Sequence, residues 1–188
     1  MDHYLDLRLL PDPEFPVSVL MNALFAKLHR VLVQLENHHL GISFPEVGQN
    51  KPSLGGCLRI HGSLGELNKL QTQNWLTGMR DHVEVTAISS VPAGAQHRQV
   101  RRVQVKSNAE RLRRRYLKRH PGVSEDEVAL RVSSLDERRL KLPFVQMKSQ
   151  STGQQFCLFI EHLPLQQQVV PGEFNCYGLS VEATIPWF

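Results

Sequence analysis

The segment formed by residues 98–120 has the side chains best suited to bind a polyanion. It contains ten of the 22 lysine and arginine residues of the 188-residue chain and a single acid, Glu110. A solvated face is the usual interpretation of a charge run. Here, however, repulsion between cations four residues apart is left unrelieved, so the segment needs a counter-anion. Arginine matches phosphate with a bidentate fork, and the segment therefore predicts nucleic-acid binding.

Two side chains in this segment have hydrogen-bonding groups that recognise bases. Residues 96–106 alternate as a β-strand, which places Arg102 and Gln104 on one face. Arginine can bridge two acceptors of guanine, and glutamine can pair with adenine. In duplex RNA these edges lie in a deep, narrow groove, and a short hairpin relaxes that limit because the groove opens near a helix end. Phe156 could stack on the terminal base pair, although core packing is the simpler interpretation.

His29 is the candidate for acid–base chemistry. On a helix predicted over residues 16–36, it lies roughly 130° from the centre of the apolar stripe. An exposed histidine without function is the simpler interpretation. No His-x₃-His spacing and no cluster of acids typical of a two-metal nuclease occurs, so we expect no metal and no cofactor.

The cysteine and hydropathy patterns of the chain predict an ordinary intracellular protein. The three cysteines form no Cys-x-x-Cys pair, which argues against a zinc site and a disulfide framework and favours a cytoplasmic location. Neither a signal peptide nor a membrane span is predicted.

The order of predicted elements divides the chain into two α+β domains. Residues 1–94 have the order β-α-β-β-α-β, which is the ferredoxin-like arrangement. Their strands are predicted at 4–9, 41–44, 57–61 and 82–91, and their helices at 16–36 and 63–80. Residues 95–188 are predicted to form an RNA-binding, degenerate ferredoxin-like domain. It has the basic strand, an arginine-rich helix between Ser107 and Pro121, and strands at 143–148, 155–161 and 174–180.

Over essentially its whole length the sequence resembles the CRISPR repeat-processing endoribonucleases of subtype I-F. The resemblance rests on the stretches MDHYLDLRLLPDPEFP, LFAKLH, RQVRRVQVKSN, ERLRRR, LPFV, KSQSTGQQF, CYGLS and the terminal PWF. The combination of SQSTGQ with the arginine-rich block is specific, whereas a ferredoxin-like pattern alone names no function. Divergence from the family is heaviest at 46–56, 85–97 and 121–142.

The resemblance implies an enzyme that binds the stem-loop of CRISPR repeat RNA and cuts at the 3′ base of the stem. It implies attack by the 2′-OH without metal, giving a 2′,3′-cyclic phosphate and a 5′-OH. His29 is implied as the catalytic histidine, Ser149 as the holder of the attacking ribose and Tyr177 as the orienting residue for the histidine. The implied RNA contacts are Arg102, Gln104, Ser107, Arg111, Arg114, Arg115, Lys118, Arg119, His120, Ser151, Thr152 and Phe156.

One of these positions departs from the family pattern. Lys118 stands where the family has arginine, which keeps the charge but loses the bidentate fork.

The resemblance also implies partners. It implies that the protein stays bound to the mature crRNA as a monomer on RNA, within the subtype I-F interference complex and away from membranes. Two alternatives remain: a non-cleaving RNA hairpin-binding subunit, and a generic basic RNA-binding protein such as a ribosomal one. The presence of His29, Ser149 and Tyr177 favours the enzyme over the former, and the SQSTGQ turn favours it over the latter.

Overall fold

The computed structural model describes residues 1–48, 53–104, 114, 116–124, 126–128, 142–149 and 152–188. Within them the chain is a mixed α+β protein, as its sequence predicts. Ten strands, β1 to β10, and two α-helices, α1 and α2, have assigned bounds in the described ranges.

A five-stranded antiparallel sheet occupies the first half of the chain, in the order β2-β3-β1-β4 with β5 also pairing with β1. The strands are β1 (His3–Leu9), β2 (Gly41–Ser43), β3 (Cys57–Gly62), β4 (Val83–Val85) and β5 (Ser89–Ser90). Alternation in β1 buries Leu5 and Leu7. They share one hydrophobic core with the apolar stripes of α1 (Val17–Gln34) and α2 (Leu64–Thr72).

The side chains on the opposite face of this sheet form buried polar pairs. Arg59 Nε donates to Asp6 Oδ1 over 2.6 Å, and its Nη2 donates to Asp6 Oδ2 over 2.9 Å. A bidentate pair of this kind compensates the cost of burying both charges. Nearby, Ser43 Oγ and His61 Nε2 are 2.8 Å apart. Burial, reinforced by Arg59, lowers the pKa of His61 to about 3, so His61 is neutral in the folded protein.

Two smaller sheets form the second half. Strand β6 (Gln96–Arg98) pairs with β10 (Ile185–Trp187). A second sheet has the order β7-β9-β8, from β7 (Val100–Val103), β8 (Phe144–Lys148) and β9 (Gln155–His162). One face of it is buried in the same core as the first sheet, through Val145, Leu158 and Ile160. Strand β8 also packs against α1, which brings this sheet to the helix that contains His29.

The prediction of one continuous strand at 96–106 is wrong. The chain changes partner at Gln99, so β6 belongs to one sheet and β7 to another. The alternation of apolar and polar residues shows which face of a strand each side chain lies on, but not which strand is its partner. A change of partner strand therefore cannot be read from the alternation.

Three other predictions of local structure need correction. Helix α2 ends at Thr72 rather than near residue 80. Gln73 has an extended backbone with a ψ of 137°, and the following residues form turns in which Gly78 adopts a φ of 76°. The predicted strand at 82–91 is two short strands, β4 and β5. The predicted strand at 174–180 is a turn, and β10 was not predicted.

Candidate active site

Helix α1 places His29 on a face that points toward the second half of the chain. The stripe of Leu20, Leu24 and Leu28 faces the core of the first sheet. His29 lies well away from the centre of that stripe, one helical turn after Phe25. The ring of Tyr177 covers both: its centroid is 4.2 Å from that of His29 and 6.3 Å from that of Phe25, with interplanar angles of 14° and 13°. His29 is therefore half-buried and its ring is stacked on Tyr177, which distinguishes it from a freely exposed surface histidine.

A backbone hydrogen bond determines which nitrogen of His29 is available. His29 Nδ1 is 2.9 Å from the carbonyl oxygen of Cys176. Because a carbonyl oxygen can only accept, Nδ1 must carry the proton and donate it. The neutral ring then presents Nε2 as a proton acceptor. This arrangement suits a general base, which must have a free lone pair and a fixed direction.

A tight turn brings Cys176 and Tyr177 to the helix. Asn175 Oδ1 accepts from the backbone N–H groups of Tyr177 and Leu179, over 2.9 and 3.3 Å. Gly178 has a φ of 71°, and its carbonyl oxygen accepts from Ile42 N in β2 over 2.9 Å. A Cβ at this position would lie 2.7 Å from Ile42 Cγ2. The turn thus needs glycine here for its backbone conformation and for its contact with β2.

Arg102 connects this histidine to the surface where a base is expected. The register of β7 and β9 pairs Arg102 with Ile160, which places it on the same face as Phe156. Its guanidinium carbon lies 5.9 Å from the Phe156 centroid and 5.4 Å from the Tyr177 centroid, within the range of cation–π contacts. The Nε of Arg102 is buried and has no hydrogen-bond partner in the described part of the chain. Leaving such a donor unpaired costs about 1–3 kcal/mol.

Ser149 lies at the start of the turn that joins β8 to β9. Its backbone N–H donates to Gln154 O over 2.9 Å, and its Oγ accepts from Thr152 N over 3.3 Å. Gly153 completes the turn with a φ of 69°. Since β8 packs against α1, the turn starts at the end of a strand that contacts the His29 helix.

The remaining predicted RNA contacts fall into two groups. Gln104, Arg114, Lys118, Arg119, His120 and Thr152 are exposed side chains in the described residues. Residues 114 and 116–119 are helical, in agreement with the prediction of a basic helix. The predictions for Ser107, Arg111, Arg115 and Ser151 lie outside the described residues. The structure thus groups His29, Tyr177, Arg102 and Phe156 by direct contacts.

Cys176 contributes through its backbone carbonyl, and it was not among the residues predicted from the sequence. A backbone acceptor has no signal in residue type. The turn around it does have one, because asparagine followed three residues later by glycine is a common turn pattern. That signal, read correctly, would have replaced the predicted strand at 174–180.

In the ranges that the structure describes, no group of three or more His, Cys, Asp or Glu side chains is placed to hold a metal ion. All three cysteines are free thiols. None of the described helices is both long and apolar enough to span a membrane.

The chain belongs to the family of CRISPR-associated proteins designated Cas_Csy4, whose model matches residues 4–188. It is 50% identical to the CRISPR-associated endonuclease Cas6/Csy4 of Pseudomonas aeruginosa (strain UCBPP-PA14), over 100% of both chains. It is 47% identical to the CRISPR-associated endonuclease Cas6/Csy4 of Escherichia coli (strain UTI89 / UPEC), again over 100% of both chains.

Proposed function

We propose that this chain is a CRISPR-associated endoribonuclease that binds the stem-loop of CRISPR repeat RNA and cuts at the 3′ base of the stem. Membership of the family and full-length similarity to two proteins named endonucleases support the proposal. The observation that carries it is the geometry of His29, whose Nδ1 is engaged by Cys176 and whose ring is stacked on Tyr177.

The proposed reaction uses a nucleophile that RNA itself supplies. His29 Nε2 takes the proton of the 2′-OH beside the scissile phosphate, and the 2′ oxygen attacks phosphorus. The bond from phosphorus to the 5′ oxygen breaks, that oxygen takes a proton from solvent water, and His29 returns its proton to solvent. The products are a 2′,3′-cyclic phosphate and a 5′-OH. Proton transfer by a positioned base contributes typically about 10²–10⁴-fold to the rate.

Two further residues complete the proposed catalytic group. We assign Ser149 to holding the attacking ribose, which adds a positioning contribution. We assign Tyr177 to orienting His29, an assignment supported by the 4.2 Å separation of their rings. No metal or cofactor has a role in these steps.

The proposed RNA interface has two parts. Arg102 and Gln104 recognise bases at the end of the stem, and Phe156 stacks beneath the terminal pair. Phosphates of the stem are bound by the basic helix and the turn after β8. The residues assigned to this second part are Ser107, Arg111, Arg114, Arg115, Lys118, Arg119, His120, Ser151 and Thr152.

We further propose that residues 1–94 form a ferredoxin-like domain with the catalytic histidine. The strand order β2-β3-β1-β4, with α1 after β1 and α2 after β3, supports this assignment. Residues 95–188 are assigned to a degenerate ferredoxin-like, RNA-binding domain.

After cleavage the protein is proposed to remain on the mature crRNA, as one monomer per RNA and as a subunit of the subtype I-F interference complex. The dense positive charge of residues 98–120 supports slow release, because each phosphate contact adds to affinity. A cytoplasmic location is in keeping with the three free thiols.

The test is to incubate the purified protein with its repeat hairpin in EDTA and to analyse the ends of the fragments. We expect one cut at the 3′ base of the stem, with a cyclic phosphate on the upstream product. Tight binding without a cut would favour a hairpin-binding subunit that does not cleave. Cleavage that requires added metal would contradict the proposed mechanism.

A further inference from the structure

The guanidinium of Arg102 contacts two rings that have different proposed tasks. Phe156, 5.9 Å from the Arg102 guanidinium carbon, is the platform assigned to the terminal base pair. Tyr177, at 5.4 Å, is stacked on His29. A continuous series of contacts therefore runs from the expected position of the base, through Arg102 and Tyr177, to the catalytic histidine.

Hydrogen bonding leaves Arg102 incompletely fixed in the absence of RNA. Its Nε is buried and unpaired in the described residues, and contacts with ring faces impose little direction on a guanidinium. The edge of a guanine offers two acceptors in the geometry that arginine binds. A matching base would therefore fix the orientation of a group that the protein alone does not fix.

We infer that Arg102 is a positioning residue for His29, acting through Tyr177, in addition to recognising a base. The inference rests on the proposed function of the same site. The correct base holds the guanidinium, the guanidinium restrains the Tyr177 ring, and that ring keeps the Nε2 of His29 directed at the 2′-OH. An incorrect base does not hold the guanidinium, so Tyr177 and His29 are less restrained. A mismatched RNA that is bound is therefore cut slowly.

The neighbouring residue offers a matched control. Arg101 lies on the same strand but on the other face of the sheet, where its Nε donates to Glu161 over 2.9 Å. Arg101→Ala removes the same amount of side chain and charge from β7 without touching Tyr177 or Phe156.

The first test needs no RNA and no activity. In NMR spectra of the full-length protein, ring protons of His29 are assigned by comparison with His29→Gln. Arg102→Ala should shift or broaden them, because their shielding depends on the stacked Tyr177 ring, whereas Arg101→Ala should leave them in place. Identical His29 signals in wild type and Arg102→Ala would overturn the inference, and this result stands whether or not the protein proves to be a nuclease.

The second test separates rate from affinity. Single-turnover cleavage is measured at saturating protein, and affinity is measured with a hairpin that has a 2′-deoxyribose at the cut. Arg102→Ala should lower the saturating rate by about 10- to 100-fold, the scale expected for a small misplacement of a catalytic group. In a Tyr177→Leu background, Arg102→Ala should lower the saturating cleavage rate by less than about 3-fold, because the effects of coupled residues are not additive.

Two outcomes of this experiment would overturn the inference. One is a loss confined to affinity, with the saturating rate of Arg102→Ala equal to that of wild type. The other is an equal rate loss in the wild-type and Tyr177→Leu backgrounds. If the wild-type protein fails to cut the hairpin at all, the proposed function fails, and the NMR comparison still decides whether Arg102 positions His29.

Discussion

At the level of single residues, the proposed site centres on one imidazole whose two nitrogens are distinguished by the backbone. The carbonyl of Cys176 engages Nδ1, so proton transfer at this ring is limited to Nε2. Stacking on Tyr177 restricts rotation of the ring about its own axis. The tautomer is thus fixed and the ring is restrained before substrate arrives, which favours acid–base catalysis.

Replacing this histidine should separate cleavage from binding. His29→Ala should lower the single-turnover cleavage rate by about 10²–10⁴-fold, the usual contribution of a general base. Affinity for the repeat hairpin should remain near that of wild type, because the basic segment is intact. The matched control is His39→Ala, which removes an exposed histidine shortly after α1. A large loss of affinity in His29→Ala would show instead that His29 supports the RNA-binding surface.

At the level of elements, the sequence predicted what depends on local patterns. The predicted strand at 4–9 and helix at 16–36 are both present, and the period of each element accounts for its buried Leu5, Leu7 and Leu24. The change of sheet at Gln99 and the existence of β10 depend on partners distant in sequence, and neither left a local pattern. The angle of His29 to its own stripe was predictable from the helical period, whereas its pairing with Tyr177 was implied only by the family resemblance.

The turn that holds Tyr177 should be sensitive to a single added methyl group. Gly178→Ala meets two costs: a left-handed backbone at a φ of 71°, and a Cβ placed 2.7 Å from Ile42 Cγ2. Together they should lower the free energy of unfolding by about 2–4 kcal/mol, as measured by urea denaturation. The rate of hairpin cleavage should fall as well, because Tyr177 and Cys176 shift relative to His29.

A second glycine provides a control that separates backbone strain from the steric contact with Ile42. Gly94 has a φ of 83°, and a Cβ there would meet open space. Gly94→Ala should therefore cost only the backbone strain, about 1–2 kcal/mol. Equal losses in the two variants would mean that the contact with Ile42 is relieved by a small movement of β2.

At the level of the whole molecule, the buried His61 and the half-buried His162 link the fold to pH. Burial lowers the pKa of both to about 3: His61 lies in the first sheet, where Arg59 adds to the effect, and His162 lies at the end of β9, where Arg98 does so. Their ordinary pKa is 6.5, so between pH 6.5 and 3 the unfolded chain binds protons that the folded chain excludes. Stability is therefore greatest above pH 6.5 and falls on acidification.

The effect of the two histidines can be measured as the slope of the free energy of unfolding against pH. Between pH 6 and 5, each of the two histidines should contribute about 1.2 kcal/mol per pH unit to the loss of unfolding free energy. His162→Leu should remove one contribution and flatten the slope, whereas His39→Ala, at an exposed position, should leave it unchanged. An unaltered slope in His162→Leu would show that His162 becomes protonated without unfolding.

The contact between His29 and Cys176 joins residues 147 positions apart in the chain. Ribosomes make protein at about 5–20 residues per second, so helix α1 emerges roughly 7–30 s before the turn that completes its histidine. The basic segment also emerges before that turn. The cations of residues 98–120 are therefore synthesised before the contact between His29 and Cys176 can form.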